Sequence, residues 1–253
     1  MNGHLHPLTQ FMRLSLKFFE ERGFEIVEGP EVETDWNNFD ALNMLENHPA
    51  RDTQDTFWLA SSGVEKLVPP VPSMAEGSNV EGIKNEKKVL RTHTTAVEPE
   101  FVKINNLKPP FKLIIPGRCF RHEPTDMTHE HTFYQIDGIA VGKNMNMGYL
   151  MGILDEYMKV LFGKDVKSRF RPHYYPFVEP GMDMDIQLPN GKWQEMLGSG
   201  MGHPQVLKNM GIDPEKWQAI MWGMGIDRYM MQYFGIDDIR LSYSGDLRFL
   251  KQF

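Results

Sequence analysis

The sequence predicts an α+β fold in which a mostly antiparallel β-sheet is flanked by helices. Strand patterns cluster in the middle and toward the end of the chain and do not alternate regularly with helices, as βαβ units would. Asn190 and Gly191 form a strong two-residue hairpin signal between two of these strands. The 253 residues show no internal repeat and are few enough to fold as one domain.

The first part of the chain opens with a helix and a short strand. The helix is predicted over residues 7–22, with a proline in its first turn and a glycine just after it, and the strand over 24–27. Residues 31–58 are polar and aromatic and give no clear secondary structure. Residues 60–88 are rich in proline, glycine and polar side chains. We expect them to form a surface loop insertion, because an apolar pattern resumes at Val89.

The second part of the chain contains the main strands. Helical periodicity predicts helices over residues 94–107, 148–162, 204–210 and 226–234. Apolar and β-branched segments predict strands over residues 112–120, 133–141, 182–188 and 192–197. In the strand at 182–188, Asp183, Asp185 and Gln187 alternate with apolar residues, so one face of this strand is polar.

Composition narrows the class of protein. A net charge of −7 argues against a general nucleic-acid binder, whose affinity comes largely from neutralising phosphates. No apolar run approaches the ~20 residues that a membrane span needs. The single cysteine, Cys119, excludes an internal disulfide and suits a reducing cytoplasm, where we expect the protein to reside. The densest basic stretch, residues 159–171, is interpreted as an ordinary solvated face.

The charged segment 121–132 lies between the two strands predicted at 112–120 and 133–141. A loop this charged between strands this apolar indicates a functional site. Arg121 and Glu123 are two residues apart, so in an extended segment they point to the same side. A cation and an anion in one cleft suit a nucleotide. From the residues alone, a simple hairpin with a solvent-exposed tip is an equally good interpretation of this segment.

Three further segments are candidates for binding. Residues 91–95 place a histidine and hydroxyls at a strand-to-helix junction. Residues 172–180 hold Tyr174, Tyr175, Phe177 and Glu179 between prolines, which favours a rigid aromatic-walled pocket. In the segment 223–228, Gly223 and Gly225 allow close backbone approach before a helix bearing Arg228, although the segment lacks the established phosphate-loop patterns.

The sequence contains nine histidines, some of which are spaced closely enough to be considered as metal ligands. His122, His129 and His131 lie near Glu123 and Glu130, but strand spacing does not bring such side chains together as a helix would, so zinc is not expected. A magnesium ion held by carboxylates and substrate phosphates stays open.

With these residues in view, the chain resembles the catalytic module of the α subunit of bacterial-type phenylalanyl-tRNA synthetases, which are class II aminoacyl-tRNA synthetases. The resemblance runs from His6 to the last residue. It rests on Gly29-Pro30, Asn38-Phe-Asp-Ala-Leu-Asn43, His48-Pro-Ala-Arg51, Asp55-Thr-Phe-Trp58, Arg91-Thr-His-Thr94, Arg121-His-Glu123, Thr128-His129, Phe177-Val-Glu-Pro180, His203-Pro204 and Asp246-Leu-Arg-Phe-Leu-Lys-Gln-Phe253.

The resemblance implies a nucleotide site for ATP. Arg121 resembles the motif 2 arginine on the α-phosphate, with Glu123 nearby on the nucleotide. Phe133 would stack on adenine, and Arg228 resembles the motif 3 arginine on the γ-phosphate. Glu179 resembles a ligand of Mg²⁺.

The resemblance also implies an amino-acid site for L-phenylalanine. Gln135 and Asp137 would face the ammonium group, with His93 and Thr95 beside them. Tyr175 and Phe177 would hold the substrate ring edge-to-face. Met221 would lie at the floor of the phenyl pocket, and Gly223 would also belong to this site.

By the same resemblance, residues 1–253 are a single catalytic domain. It would activate phenylalanine with ATP and transfer it to tRNA(Phe) as a phenylalanine–tRNA ligase, in an (αβ)₂ heterotetramer with a β subunit. The segment around Gly29-Pro30 resembles motif 1 and would make the α–α contact. The family's N-terminal coiled-coil arm has no counterpart in the sequence, so we expect weak tRNA binding without β.

The sequence departs from the family pattern at several positions. Thr95 stands where serine is usual, and Glu98 where glutamine is. Asp137 and Asp227 each replace a glutamate. The largest change is Met221 in place of alanine, which bears on amino-acid specificity.

Two other functions are weighed beside this one. A class II synthetase-like ligase for another amino acid is kept open by Met221 and opposed by the aromatic pair Tyr175 and Phe177. A catalytically silent paralogue that binds tRNA or regulates is opposed by the presence of Arg121 and Arg228.

Overall fold

The computed structural model describes residues 3–46, 56–59, 87–122, 125–127 and 129–253. The strands in this part of the chain are β1 (Glu25–Ile26), β2 (Val32–Thr34), β3 (Trp58–Leu59), β4 (Lys88–Leu90), β5 (Phe111–Phe120), β6 (Thr132–Gly142), β7 (Ser168–Pro172), β8 (Val178–Gln187), β9 (Trp193–Gly202) and β10 (Gln218–Gly225). The helices are α1 (Pro7–Glu20), α2 (Asp35–Asn38), α3 (Val97–Ile104), α4 (Met147–Phe162), α5 (Pro204–Asn209), α6 (Ile226–Phe234), α7 (Ile239–Tyr243) and α8 (Leu247–Leu250).

The strands form two sheets. The large one has seven strands in the order β1-β5-β6-β10-β9-β8-β7, and the small one has three in the order β2-β4-β3. Neighbouring strands are antiparallel except β1 and β5, which run parallel. The predicted α+β class with a mostly antiparallel sheet is therefore confirmed.

The large sheet has an apolar core on each face. Because side chains alternate along a strand, Ile114, Ile220 and Trp222 point to one face, where α1, α4 and α6 pack. Leu113, Ile139 and Met221 point to the other face, in a cluster with residues from the segment after β2, from α3 and from α5. No helix in the described part of the chain is long and apolar enough to span a membrane.

Most predicted elements appear within one or two residues of their expected bounds. The helix at 226–234 matches α6, which ends at Gly235 with a left-handed φ of 67°. The hairpin around 121–132 is present, since β5 and β6 pair from Phe120 with Thr132 onward. The helix predicted at 94–107 is shorter, a 3₁₀ turn over Thr94–Ala96 followed by α3.

Three strands differ from the predictions. The strand predicted at 192–197 continues to Gly202 in β9. The sequence predicts no strand before the helix at 226–234, but Gly223 and Gly225 belong to β10, which pairs with β6 and β9. The strand predicted at 182–188 begins earlier, at Val178. A register shift between Val178 and Gly181 accommodates Pro180, which cannot donate to the ladder.

The surface loop expected over 60–88 mostly lies outside the described residues, which resume at Lys87. Lys88 already belongs to β4, where it pairs with Thr34.

Candidate functional site

A cleft of about 230 Å³ opens beside the first residues of β6, the first half of β9, the last residues of β10 and the start of α6. Its walls carry charges of both signs, aromatic and apolar side chains and exposed glycine backbone, the mixture expected of a site for a charged ligand. The lining residues are Arg121, His129, Glu130, Phe133, Gln135, Glu195, Met196, Leu197, Gly198, Gly223, Gly225, Asp227, Arg228 and Ile239.

Glycines on two neighbouring strands shape this cleft. Gly198 on β9 and Gly223 on β10 are direct cross-strand partners. A Cβ atom built on Gly198 would lie 2.6 Å from the Tyr175 ring, and one built on Gly223 would lie 3.0 Å from Asp137 Oδ1. A larger residue at either position would therefore displace Tyr175 or Asp137, because both side chains already lie against the backbone.

Two arginines from different elements line the cleft. Arg121 follows β5, donates from Nε to the Thr92 carbonyl (3.2 Å) and places its guanidinium carbon 4.8 Å from the centre of the Phe133 ring. Arg228 lies in the first turn of α6 and donates from Nη1 to the Glu195 carbonyl (3.1 Å). Because the backbone and an aromatic ring hold them, both guanidinium groups are positioned before any ligand binds.

Three carboxylates lie on the same walls: Glu130, Glu195 and Asp227. Asp227 is buried and accepts hydrogen bonds from the Tyr134 backbone N–H (2.6 Å) and the Tyr243 hydroxyl (2.5 Å). Burial raises the pKa of Asp227 to about 6, although these two hydrogen bonds oppose the shift. Asp227 thus fixes the start of α6, and with it Arg228, against β6.

A buried polar group lies next to Gly223. Asp137 is fully buried, and its Oδ2 accepts hydrogen bonds from the backbone N–H (2.9 Å) and hydroxyl (2.6 Å) of Thr95. Its Oδ1 accepts the Met224 N–H (3.2 Å). Burial raises the pKa of Asp137 despite these donors. A cation would therefore be bound favourably here, because it would stabilise the ionised carboxylate.

Glu98 and His93 are further buried titratable side chains near this group. Both carboxyl oxygens of Glu98 lack a hydrogen-bond partner among the described residues. Burial and, next, the Asp137 charge raise the pKa of Glu98 well above its usual value, which favours the neutral carboxyl group. For His93, burial and the nearby charge of Arg121 lower the pKa to about 3, so its imidazole is neutral.

An aromatic pair adjoins the cleft through Gly198. The Tyr175 ring lies against Gly198, and the ring centroids of Tyr175 and Phe177 are 5.6 Å apart. Both rings pack on the apolar cluster that contains Met221, which is 1% exposed. Met221 lies two residues before Gly223 on β10, so the two point to the same face of the sheet.

The predicted site residues separate into three groups. Five line the cleft together: Arg121, Phe133, Gln135, Gly223 and Arg228. Six are not on its walls and lie in the buried polar group or the aromatic and apolar cluster: His93, Thr95, Asp137, Tyr175, Phe177 and Met221. Of the remaining two, Glu179 lies elsewhere and Glu123 is outside the described residues.

Glu179 lies apart from the cleft walls and Glu123 is outside the described residues. The Glu179 side chain is 78% exposed, and its Oε2 lies 3.7 Å from His203 Nε2. The described residues contain no group of three or more His, Cys, Asp or Glu side chains that could enclose a metal ion. A metal held entirely by protein ligands therefore finds no site there, whereas Mg²⁺ needs only one or two carboxylates beside phosphate oxygens.

Sequence reasoning missed Glu195 and gave Glu130 no nucleotide role, although both line the cleft. For Glu195 the available signal was weak, a single acidic residue in a strand of mixed polar and apolar residues after a hairpin. Its position beside Arg228 follows only from the pairing of β9 with β10, and β10 itself was not predicted.

Comparisons with known proteins identify the family of the chain. The model of the family described as "tRNA synthetases class II core domain (F)" matches residues 1–253. A phenylalanine–tRNA ligase alpha subunit from Shewanella sediminis (strain HAW-EB3) is 42% identical over 252 residues, which are 100% of this chain and 68% of that protein. The same named subunit from Vibrio campbellii (strain ATCC BAA-1116) is also 42% identical, over 100% of this chain and 68% of the relative.

A third relative gives the same identity. The phenylalanine–tRNA ligase alpha subunit from Leptospira biflexa serovar Patoc (strain Patoc 1 / Ames) is 42% identical over 262 residues, covering 99% of this chain and 69% of that protein. With the family model matching over its full length, the chain belongs to the class II tRNA synthetase core-domain family, among the relatives of phenylalanine–tRNA ligase alpha subunits.

Proposed function

We propose that this chain is the catalytic α subunit of a phenylalanine–tRNA ligase, which activates phenylalanine with ATP and transfers it to tRNA(Phe). The observation that carries the proposal is the placement of Arg121 and Arg228 on one cleft, next to the buried Asp137 group and the aromatic pair. Two fixed guanidinium groups suit a polyphosphate, and an acid beside aromatic rings suits an aromatic amino acid.

The nucleotide would bind in the cleft. We assign the α-phosphate of ATP to Arg121, the γ-phosphate to Arg228 and the adenine to Phe133. The Phe133 ring already supports a cation, with the Arg121 guanidinium 4.8 Å from its centre, so it has a face suited to stacking. We keep Glu123 beside the nucleotide as a prediction from the resemblance.

The amino acid would bind toward Gly223. Its ammonium group would face Gln135, whose Oε1 has no partner among the described residues, and Asp137, with Thr95 and neutral His93 beside them. Its ring would lie against Tyr175 and Phe177, above Met221.

The chemistry then needs positioning more than a protein nucleophile. In the first step a carboxylate oxygen of phenylalanine attacks the α-phosphorus of ATP, the P–O bond to the β-phosphate breaks, and pyrophosphate leaves. Both reactants are anionic, so two fixed arginines lower the repulsion between them. In the second step the 2′-hydroxyl of the terminal adenosine of tRNA attacks the acyl carbon, and AMP leaves.

Magnesium fits the donor set of the cleft. Glu195 and Glu130 present carboxylates beside the two arginines, and Mg²⁺ commonly combines one or two carboxylates with substrate phosphates. We propose that these carboxylates hold the ion, which would neutralise phosphate charge. The predicted ligand Glu179 is exposed and does not line the cleft. Its role as a Mg²⁺ ligand is supported only by the family resemblance.

The names of the relatives support a proposal for the assembly. Because those proteins are named alpha subunits, we propose a β-subunit partner, an (αβ)₂ heterotetramer with an α–α contact around Gly29 and Pro30, and a cytoplasmic enzyme. We propose residues 1–253 as one catalytic domain of it.

Amino-acid-dependent ATP–pyrophosphate exchange tests the proposed function. The assay runs across all twenty amino acids, on this chain alone and with a bacterial phenylalanine–tRNA ligase β subunit. Exchange with phenylalanine, requiring β, is the expected result. Exchange with a different amino acid would transfer the function to a ligase of other specificity, which the buried Met221 would then explain. Absence of exchange in both conditions would reject ligase activity.

A further inference from the structure

A ladder of charged side chains crosses the three outer strands β7, β8 and β9 on the same face as the cleft. Arg171 on β7 is the cross-strand partner of Asp183 on β8. Its guanidinium donates to Asp185 (2.7 and 2.9 Å), to Asp183 (3.3 Å) and to Glu195 (3.4 Å). Glu195 lines the cleft, so this ladder runs from the edge of the sheet to the proposed nucleotide site.

Tyr175 is attached to this ladder by its hydroxyl. The Tyr175 hydroxyl donates to Asp183 Oδ1 at 2.7 Å, while Asp183 Oδ2 lies 3.1 Å from His173 Nδ1 and 3.3 Å from Arg171 Nη2. Asp183 is 1% exposed. The two oxygens of Asp183 therefore have different partners: Oδ1 accepts the Tyr175 hydroxyl, and Oδ2 faces Arg171 and His173.

This hydrogen bond restrains the orientation of the Tyr175 ring. The Tyr175 ring lies against Gly198, a residue of the cleft wall, so a rotation of the ring changes the space beside that wall. Hydrogen bonds from a hydroxyl to a carboxylate are short and strong. Burial and the Asp183 contact raise the pKa of Tyr175, so its hydroxyl keeps the proton that it donates.

We propose that Asp183 is a positioning residue for amino-acid recognition. It fixes the Tyr175 ring through the hydroxyl, while the Arg171 guanidinium supplies the positive charge that holds the buried carboxylate in place and the His173 ring lies beside it. The inference rests on the proposed function, since it deepens the aromatic half of the same site. Asp183 does not contact the amino acid and acts on it through Tyr175.

The test uses the assembled enzyme with β, in ATP–pyrophosphate exchange with phenylalanine. The variants are Asp183→Asn, Tyr175→Phe and the double variant. Asp185→Asn is the matched control, because Asp185 lies on the same strand, is equally buried and binds Arg171, yet makes no contact with the Tyr175 hydroxyl.

We expect each single variant to raise the KM for phenylalanine about tenfold, the typical effect of losing a charge-assisted hydrogen bond. Their kcat and their KM for ATP should stay within about twofold of the wild-type values, and the double variant should be no worse than either single one. The control should change the KM for phenylalanine less than about twofold.

Other results overturn the inference. Independent, multiplying effects of Asp183→Asn and Tyr175→Phe would show that the two do not act together. An equal loss in the control would assign the effect to Arg171. If Asp183→Asn does not fold, Tyr175→Phe decides by itself, and an unchanged KM rejects the proposal. A wild-type enzyme without phenylalanine-dependent exchange rejects both proposals, whereas wild-type exchange with unshifted variants rejects only this one.

Discussion

At the scale of single residues, Met221 has the clearest influence on which amino acid can bind. It is 1% exposed, points to the same face as Gly223, and belongs to the cluster on which Tyr175 and Phe177 pack. A thioether side chain there occupies space that a smaller residue would leave to a substituent on the substrate ring. Methionine is flexible, but a buried one has few directions in which to move.

We therefore expect the wild-type enzyme to reject para-substituted phenylalanines and Met221→Ala to accept them. The kcat/KM for p-chlorophenylalanine in pyrophosphate exchange should rise at least about tenfold in the variant. Met210→Ala is the control, since Met210 is a buried methionine of the same cluster located after α5, away from the cleft walls. Equal activation of p-chlorophenylalanine by wild type and Met221→Ala would refute this role.

Glu98 is a buried acid, and its protonation state decides whether an unpaired charge is buried in the core. Its two oxygens have no partner in the described part of the chain, and burial together with Asp137 raises its pKa. A protonated carboxyl group is nearly the same shape as a carboxamide. A charge at this position would repel Asp137, so the neutral form is the one that the fold accommodates.

We expect Glu98→Gln to change the free energy of unfolding by less than about 1 kcal/mol at pH 7, because it replaces one neutral group by another. Glu98→Ala should lower it by about 2–4 kcal/mol, since it leaves a cavity in a packed region. Urea denaturation of the three proteins measures both. A strongly destabilised Glu98→Gln would mean that the carboxyl group is ionised.

At the scale of secondary-structure elements, the small sheet contains a second buried acid. Glu33 on β2 accepts a hydrogen bond from Asn37 of α2 (3.0 Å), and the same amide nitrogen donates to Glu100 of α3 (2.6 Å). Burial, with a further contribution from Glu100, raises the pKa of Glu33 to about 7. This cluster joins β2, α2 and α3.

The shift has a definite sign. In the native state Glu33 keeps its proton up to about pH 7, whereas in the unfolded chain it releases the proton near 4.5. The native state therefore binds more protons between these values, and the contribution of Glu33 to stability is lost as pH rises through that window. Glu33→Gln should remove this loss and make the protein more stable than wild type by about 3 kcal/mol at pH 8.

Urea denaturation between pH 4.5 and 8 checks this prediction. His93 acts in the opposite direction, because its lowered pKa destabilises the native state as pH falls, but it is present in both proteins and cancels in the difference. Glu25→Gln, which removes an exposed carboxylate of β1, is the control. Parallel pH profiles for wild type and Glu33→Gln would contradict the assignment.

The elements differ in how far the sequence could predict them. Long strands with alternating or apolar patterns, such as β5, β6 and β8, were found because burial of many of their side chains enriches them in apolar residues. Strand β10 was missed because Gly223 and Gly225 weaken strand propensity and resemble a loop. The small sheet was missed because its strands have two or three residues, too few for a period to appear.

The candidate site was predictable to a similar degree. Arg121, Phe133 and Arg228 could be assigned from phrases shared with a known family, and they lie together. Glu195 and the Asp183–Tyr175 hydrogen bond could not, because they depend on which strands are neighbours and on a ring folding back over Gly198.

At the scale of the whole molecule, the net charge of −7 determines how strongly we expect the chain to bind tRNA. The sequence has 27 lysines and arginines against 34 aspartates and glutamates. Several cations are also engaged within the chain, as Arg22 is with Glu156, Arg169 with Asp185 and Lys159 with Asp155. The basic stretch at 159–171 is thus partly neutralised by neighbouring acids, which supports its interpretation as a solvated face.

We therefore predict weak tRNA(Phe) binding by this chain alone, with a Kd above about 1 µM at physiological salt. Nucleic-acid affinity comes largely from lysines and arginines that displace counterions, and a net charge of −7 opposes that contact. Addition of the β subunit should tighten binding substantially, because we expect the partner to supply cationic surface for the phosphates. Filter binding at several salt concentrations measures both states, with a non-cognate tRNA as control. Tight binding by the isolated chain that persists at high salt would contradict the prediction and would indicate a recognition surface formed by this chain itself.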